Sequence, residues 1–305
     1  MANGMASLMV GSSGLRSAQT ALNTTAHNLS NVNTQGYTRQ QVTFTDTTYA
    51  NVFSSSIVPG KYGLGVDIGA ISRVRNDFID RSYRTEYSRL GFYESQANAV
   101  YEVEDWFGEM QGVTYQQHIT DLYNSINELT KNPTSTIARS SLIQNATAFI
   151  DRSQAIYSGL KDYQITLNTE VSSMVDKINE LGQKIYSLNK SISKVESGGV
   201  ERANDLRDTR DIALDELSQY LDIDYYETTD GQIIISAENI PFVSKSEVNT
   251  MDVRQEGQYG LLIPEWPAYE KDVFSFEKAA SNANNNDKGK LKGLLVARGT
   301  IDVNY

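Results

Sequence analysis

Apolar residues in this chain keep two periods, and the changes of period divide it. Leu8, Leu15, Leu22 and Leu29 recur every seven residues. Ala18 falls at the intermediate heptad position, and Ala26 lies beside that seam. Such spacing sets the leucines along one narrow stripe of a helix, the seam of a coiled coil. The run closes at Asn31, Asn33 and Gly36, residue types that stop helices. Arg16 is the one Lys, Arg, Asp or Glu within the helix, and no acid precedes Asp46. Two readings follow: a helix docked on the core of its own domain, or a terminal segment that orders by assembly. The narrow stripe and the scarcity of charge on the other faces favour assembly.

After Tyr37 the period falls to two. Val42 and Phe44 alternate with polar neighbours, β-branched residues stay frequent to Val58, and Val66, Ile68 and Ala70 alternate before Arg73. This predicts an extended or hairpin connector over 39–75, with turns at Pro59-Gly60, Gly63 and Gly65. Gly63-x-Gly65 lacks the GxGxxG spacing and opens no helix directly behind it, so it reads as a turn rather than a dinucleotide loop.

Helical text resumes at Asn76 or Asp77, either of which suits an N-cap. Phe78, Ile79, Tyr87, Leu90, Ala97, Val100, Val103 and Phe107 form a stripe as far as Met110, interrupted by Gly108 and Gly112. A second helix carries Tyr115, Ile119, Leu122, Ile126 and Leu129, and Asn132-Pro133 ends it. A very long helix then opens at Thr134 or Ser135. Its second half is the most regular pattern in the chain: Leu167, Val171, Met174, Ile178, Leu181, Ile185, Leu188, Ile192 and Val195. Its first half is less regular, which fits a break near Ser158-Gly159. Gly198-Gly199 supplies a stop. A further helix is expected from Val200 to about Leu221, with Ala203, Leu206, Ala213, Leu217 and Tyr220 inward. Short loops between long helices imply antiparallel neighbours.

From Asp222 the period is two again. Ile223, Tyr225, Asp230-Gly231 and Ile233 to Ile235 read as a β-hairpin with an Asp-Gly turn. Short strands and turns continue through Pro241, Tyr259 to Ile263, Pro264 and Pro267, a polar loop covers Asn282 to Asp287, and Leu291, Leu294, Leu295 and Arg298 begin a new helix. The expected fold class is mainly α with a β insertion. Its parts are an N-terminal coiled-coil-type assembly helix (1–38), the connector (39–75), an elongated antiparallel helical bundle (76–222), a small β-rich region (223–288) and the start of a returning helix, cut short (289–305).

Composition narrows the function more than the fold. The chain has 305 residues, 39% hydrophobic and 21% charged, with a mean hydropathy of -0.43. No apolar run approaches the ~18 residues of a membrane helix, so no membrane insertion is expected. No Lys or Arg precedes Arg16, so the N-terminus does not read as a Sec signal peptide. The net charge of -11 and pI near 4.8 argue against nucleic acid as a partner. The charge is uneven: residues 200–230 hold ten acids against three arginines. Absence of cysteine excludes disulfides, thiolate zinc sites and cysteine catalysis. His27 and His118 stand alone, and no nucleophile elbow or Walker loop occurs. Asn31-x-Asn33-x-Gln35-Gly36 resembles a calcium loop but has no carboxylate, and Val42 stands where the bidentate Glu belongs. Asp222-x-Asp224 lacks the required glycine. No metal, cofactor or catalytic residue is expected, and the chain does not read as an enzyme. Asp205, Arg207, Asp208, Arg210 and Asp211 form a mixed-sign cluster in which Arg207 and Asp211 stand as i,i+4 partners. A solvated helix face is the simpler reading of that cluster, and a charged contact between helices or subunits is the other.

Four blocks resemble the family of the bacterial flagellar hook-associated protein 1. The first runs from Ser13-Gly14-Leu15 to Asn28-Leu29-Ser30-Asn31-Val32-Asn33-Thr34-Gln35-Gly36-Tyr37-Thr38-Arg39-Gln40, a segment type shared by rod, hook and junction proteins. The second is Gly63 to Ile68 with Ile71-Ser72-Arg73, Asn76-Asp77-Phe78-Ile79 and Arg84. There Asp77-Phe78 departs from the family's Asp-x-Phe. The third joins Gly198-Gly199 to Ala203-Asn204-Asp205-Leu206-Arg207-Asp208-Thr209-Arg210-Asp211 and Asp215 to Ser218, and the fourth is Gly289 to Leu295.

The resemblance implies a structural subunit of the flagellum that forms a junction ring between hook and filament. Its partners would be further copies of itself, the hook protein, a second junction protein and an export chaperone. It would be exported without a Sec signal to an extracellular place in the flagellum. Leu8, Leu15, Leu22 and Leu29 would be the assembly seam. Asn28, Asn31, Asn33, Gly36, Tyr37 and Arg39 would form the helix exit. Asn204, Asp205, Leu206, Arg207, Asp208, Arg210 and Asp211 would make a helical-domain contact. The family also has a C-terminal amphipathic helix paired with the N-terminal one. Nothing here matches it, so the chain is expected to be a fragment or to have lost that helix. Another axial protein of rod or hook, or a coiled-coil scaffold or adhesin unrelated to flagella, are the competing readings. The helical residues from 77 to 221 weigh against rod and hook proteins, whose bodies are chiefly β-structured.

Overall fold

The computed structural model describes residues 2–52, 60–108, 114–199, 201–257, 260–274 and 287–299. The β-branched run near Val58, the interruption at Gly112 and the polar loop from Asn282 lie outside the described residues. The remainder is mainly helical with small antiparallel sheets, as the periods predict. Five long helices come first: α1 (Ala2–Ser30), α2 (Asp77–Phe107), α3 (Tyr115–Lys131), α4 (Thr136–Glu196) and α5 (Asn204–Tyr220). A short α6 (Lys290–Arg298) follows late in the chain.

The chain divides into two compact units, one of Met1–Tyr83, Leu181–Glu216 and Asp224–Val248, the other of Arg84–Glu180, Leu217–Ile223 and Asn249–Tyr305. In the first unit, β1 (Gln40–Asp46) pairs antiparallel with β4 (Val66–Arg73), and β2 (Tyr49–Val52) pairs with β3 (Gly60–Gly63). A bulge between Thr43 and Phe44 shifts the register of the longer pair. The connector is thus a hairpin. A third sheet orders β5 (Ile223–Glu227), β6 (Ile233–Ala237) and β7 (Ile240–Val243) in sequence. Its first turn is closed by Gly231 N donating to Thr228 O at 3.0 Å. Phe242 of β7 is fully buried and fills the space left by Gly182 on α4.

The second unit has its own sheet, in which β9 (Leu261–Trp266) lies between β8 (Asp252–Glu256) and β10 (Lys271–Asp272). The strands expected as one β-rich region over 223–288 therefore belong to two sheets and two units. In this second unit α2 meets α6 backbone to backbone. A Cβ on Gly293 would strike the Phe92 carbonyl oxygen, so only glycine permits that approach.

Three local expectations change. The long helix does not break at Ser158-Gly159: the Trp106 ring packs where a side chain on residue 159 would stand, and α4 runs on. Helix α5 starts at Asn204 rather than Val200, because Glu196 first accepts the Ala203 N–H at 3.0 Å. The apolar stripe of α2 is not its buried face. Phe78, Ile79, Leu90 and Val100 are exposed, while Arg84, Ser88, Gly91, Phe92, Ser95 and Ala99 are buried. Small residues let a neighbouring backbone come close, as at Gly91, where a side chain would strike the Gln219 carbonyl oxygen.

Two helix starts carry caps where the sequence places them. The Asn76 side chain accepts from Phe78 N at 3.0 Å, and Ser135 Oγ accepts from Ala138 N at 3.2 Å.

Candidate assembly interface

Helix α1 lies against β1 and β4. It does so with small and polar residues: Ser13, Ser17, Ala21, Thr24 and Asn28 are buried or half-buried. Their spacing of four, four, three and four residues keeps one helical face. Val66 N donates to Ser13 Oγ at 3.3 Å, and Ser17 Oγ donates to Val66 O at 3.4 Å. The threonine hydroxyls are satisfied inside the helix, Thr24 Oγ1 donating to Thr20 O at 3.0 Å. The leucine stripe points elsewhere. Leu8, Leu15, Leu22 and Leu29 are 65–74% exposed, and Val32 continues the apolar surface.

The helix exit is fixed by one side chain. Asn28 Oδ1 accepts from Tyr37 Oη at 2.7 Å and from Gln40 N at 2.9 Å, and its Nδ2 donates to Gln40 O at 2.9 Å. An amide offers both an acceptor and donors, and here they hold both polar groups of one backbone residue. Asn31 closes the last turn, donating to His27 O at 3.0 Å and accepting from Thr34 Oγ1 at 3.1 Å. Gly36 has a positive φ of 76°, and a side chain there would run into Ile212 of α5. The Tyr37 ring meets His27 edge-on at 5.5 Å. Burial, with Asp205 and Asp208 nearby, pushes the Tyr37 phenol above its usual range. Asn33 and Arg39 are exposed, so the structure joins them to the motif only through the backbone.

Below the exit lies α5, whose charges are largely buried. Thr38 N donates to Asp208 Oδ2 at 3.0 Å, and Asn204 Nδ2 donates to Ile71 O at 2.9 Å. Arg73 Nη1 bridges Asp208 and Asp211 at 2.8 and 2.6 Å, and Arg75 adds a contact to Asp211 at 3.3 Å. Two arginines of α5 turn the other way. Arg207 grips Glu196 through Nε at 2.7 Å and Nη2 at 2.8 Å and reaches Glu227 at 2.7 Å. That grip holds the Glu196 carboxyl below its usual range. Arg210 is fully buried and donates to Asn189 Oδ1 at 3.0 Å and Gly231 O at 2.6 Å. Burial lowers its pKa to about 10, so it stays charged at neutral pH.

The cluster is therefore not a solvated face, and Arg207 and Asp211 are not the partners that their spacing suggests. Both find stronger charge partners outside α5. Burial makes each pair costly to break, since a lone buried charge loses its hydration without return. Asp205 is exposed, near His27 Nε2 at 3.8 Å, and Leu206 is half-buried. Arg75, Asn189, Glu196 and Glu227 complete the network and were not legible from the sequence. Their distance along the chain from α5 leaves no local spacing to read.

Among the described residues, no group of three or more His, Cys, Asp or Glu could hold a metal ion, and no helix is long and apolar enough to cross a membrane.

Two family models match this chain, over different stretches. The model of the flagellar hook-associated protein FlgK helical domain matches residues 100–304, and that of the flagella basal body rod protein matches residues 8–38. Flagellar hook-associated protein 1 of Bacillus subtilis is 32% identical over 306 residues, covering 94% of this chain and 59% of its own length. The Escherichia coli protein of that name is 27% identical over 228 residues, covering 74% of this chain and 41% of its own. The chain thus spans less than two thirds of the length of these relatives. A solved structure of the flagellar hook junction protein FlgK from Burkholderia pseudomallei shares the fold with a TM-score of 0.56. It is 18% identical and covers 72% of this chain and 38% of that one. With its helical-domain match spanning most of its length, the chain belongs to the FlgK family of flagellar hook-associated proteins.

Proposed function

We propose that the chain is a structural subunit of the bacterial flagellum that polymerises as a junction ring between hook and filament. The observation that carries the reading is the face α1 leaves uncovered. Its leucines keep a coiled-coil spacing yet stand in solvent, while the opposite face is bonded to the hairpin and the exit is locked onto α5. A helix held this firmly, with its apolar seam outward, is built to pack on another helix. The hairpin and α5 then set the direction in which the seam is presented.

In this reading the function is mechanical, with no catalysis and no cofactor. Copies of the chain associate through the seam of Leu8, Leu15, Leu22 and Leu29, and the hook protein and a second junction protein lie on either side. The protein works outside the cell, reached through the flagellar export channel with an export chaperone. The names of the relatives support the place in the flagellum, and the rod-protein match over residues 8–38 supports a segment common to axial subunits.

Leu22→Asp in the chromosomal gene tests it. A charge on the seam should abolish swimming in soft agar and release filaments from hooks. The purified variant should keep its helical content, since Leu22 touches solvent rather than the fold. Normal swimming in that strain would overturn the reading.

A further inference from the structure

The first unit holds its parts together by two different means. Where α4, α5 and the β5–β7 sheet pack, the means is apolar: Ile185, Ile192, Leu214, Ile233, Ile235 and Phe242 are all buried. Between Ser7 and Tyr83 no apolar side chain among the described residues is buried, and the side chains that are buried there are Ser17 and Thr24. The attachment of α1 and the β1–β4 hairpin to α5 is therefore mainly polar. Asp208 accepts from Thr38 N at 3.0 Å and from Arg73 Nη1 at 2.8 Å, and Asp211 accepts from the same Arg73 nitrogen at 2.6 Å. Asn204 Nδ2 donates to Ile71 O at 2.9 Å and to Gln40 Oε1 at 3.3 Å. An apolar touch comes from Ile212, itself half-buried, which lies against Gly36.

The chain enters the hairpin at Arg39 and leaves it at Val74. The two crossings are bonded to one another, Val74 N donating to Arg39 O at 2.9 Å. A neck two strands wide thus joins α1 and the hairpin to the rest of the unit, and Asp208 takes hold of both strands. Just past the neck, Arg75 turns to Asp80 in the first turn of α2 at 2.6 Å. Beside the neck the packing is open. A cleft of about 690 Å³ lies between Ile68 to Ile71 of β4 and the start of α5, with His27 and Val195 on its walls. Apolar contacts are lost to water at a cost that grows with their area. Hydrogen bonds and ion pairs recover much of theirs, because water takes the partner's place. In one molecule that holds both kinds of attachment, the polar one opens first.

From these observations we infer that α1 and its hairpin form a module that comes away from α5 as one unit, turning at the Arg39–Val74 neck, with Arg73, Asp208 and Asp211 as the latch that holds it shut. Release lets the leucine seam face more than one direction. A partner on the seam can then draw the module out while α4, α5 and the β5–β7 sheet stay folded. The latch is a property of the single chain and stands whether or not the junction role holds.

The chain has no cysteine, so two introduced cysteines can carry spin labels at chosen places. Asn23→Cys on α1 and Ser187→Cys on α4 replace exposed residues. With the latch intact, pulsed electron spin resonance of the full chain should give one narrow distance between the labels. Arg73→Met, and separately Asp208→Ala, should broaden it in most molecules. Lys245→Met, which removes an exposed ion pair with Asp230 in the same unit, should leave it narrow. Hydrogen exchange on the latch variants reads the core: the Thr38 amide should exchange about tenfold faster or more, while the Ile185 and Ile235 amides keep their rates. A distance that is broad before any latch substitution, one that stays narrow in both latch variants, or equal broadening in Lys245→Met would overturn the inference. So would exchange at Ile185 and Ile235 that quickens in step with Thr38, because module and core would then open together.

Discussion

Two stretches of this chain share one pattern and meet opposite fates. On α4, Val171, Ile178, Ile185 and Ile192 recur every seven residues and are 0% exposed. On α1, Leu8, Leu15, Leu22 and Leu29 recur with the same interval and stand mostly in solvent. A heptad of apolar residues fixes which face of a helix seeks company. It says nothing of whether the company is in the same chain. The residues around the seam carry that information. The α4 seam is thickened on both sides, by Met174, Val175 and Leu181, into a broad apolar face suited to a core. The α1 seam has only small residues between its leucines, Gly11, Ala18 and Thr25, and the packing face opposite is built from Ser, Ala, Thr and Asn. Small polar residues allow a close approach to the hairpin, where hydroxyls can bond strand backbone.

The largest effect that sharpens this contrast is expected on α4. Ile185→Ala removes buried methyl groups from a fully packed position and should cost about 2–5 kcal/mol. Urea unfolding followed by circular dichroism would read it as a lowered midpoint. A cost under half a kcal/mol would mean that the α4 seam is not core, and the comparison would fail from that side.

The contrast also shows how far the sequence was legible. Helix positions followed from period, because apolar spacing is a local signal. The hairpin followed from alternation, although its bulge at Thr43 did not. The charged cluster was visible as residues, and a contact between helices was one of its two readings, but its pairing was not legible. Arg207 and Asp211 are near in sequence, but Arg207 pairs with Glu196 and Glu227 and Asp211 with Arg73 and Arg75. Those choices depend on which elements are brought together, and the spacing within one helix cannot report that. The outward stripe of α2 was misleading for the same reason. Four of its six buried residues are glycine, serine or alanine, which carry little signal in a hydrophobic pattern.

A middle-sized effect concerns the link between the two regimes. Asn28 makes three hydrogen bonds at the exit of α1, two of them to the backbone of Gln40. Asn28→Ala should cost about 1–3 kcal/mol, since the groups it leaves are part-buried and lose their partner. Hydrogen exchange at the Gln40 amide should speed up while that of the α4 amides stays slow. Unchanged exchange at Gln40 would show that the exit is held by α5 alone, and that the asparagine is not the lock.

The smallest expected effect decides most. Leu15→Ala removes as much apolar surface as Ile185→Ala, from the same kind of seam position. In the isolated chain the side chain is already in water, so unfolding exposes almost nothing more. The stability should change by no more than about 0.5 kcal/mol, as for surface substitutions without a packing role. The slight helix preference for Ala over Leu could even raise it. In the assembled flagellum the same truncation should be felt, because every subunit would lose buried area at its seam, and soft-agar swimming would fall. Stability unchanged with swimming impaired is the combination that only an intermolecular seam explains. A cost of about 2 kcal/mol or more in the isolated chain would place the leucines in a core like that of α4 and erase the distinction between the two helices.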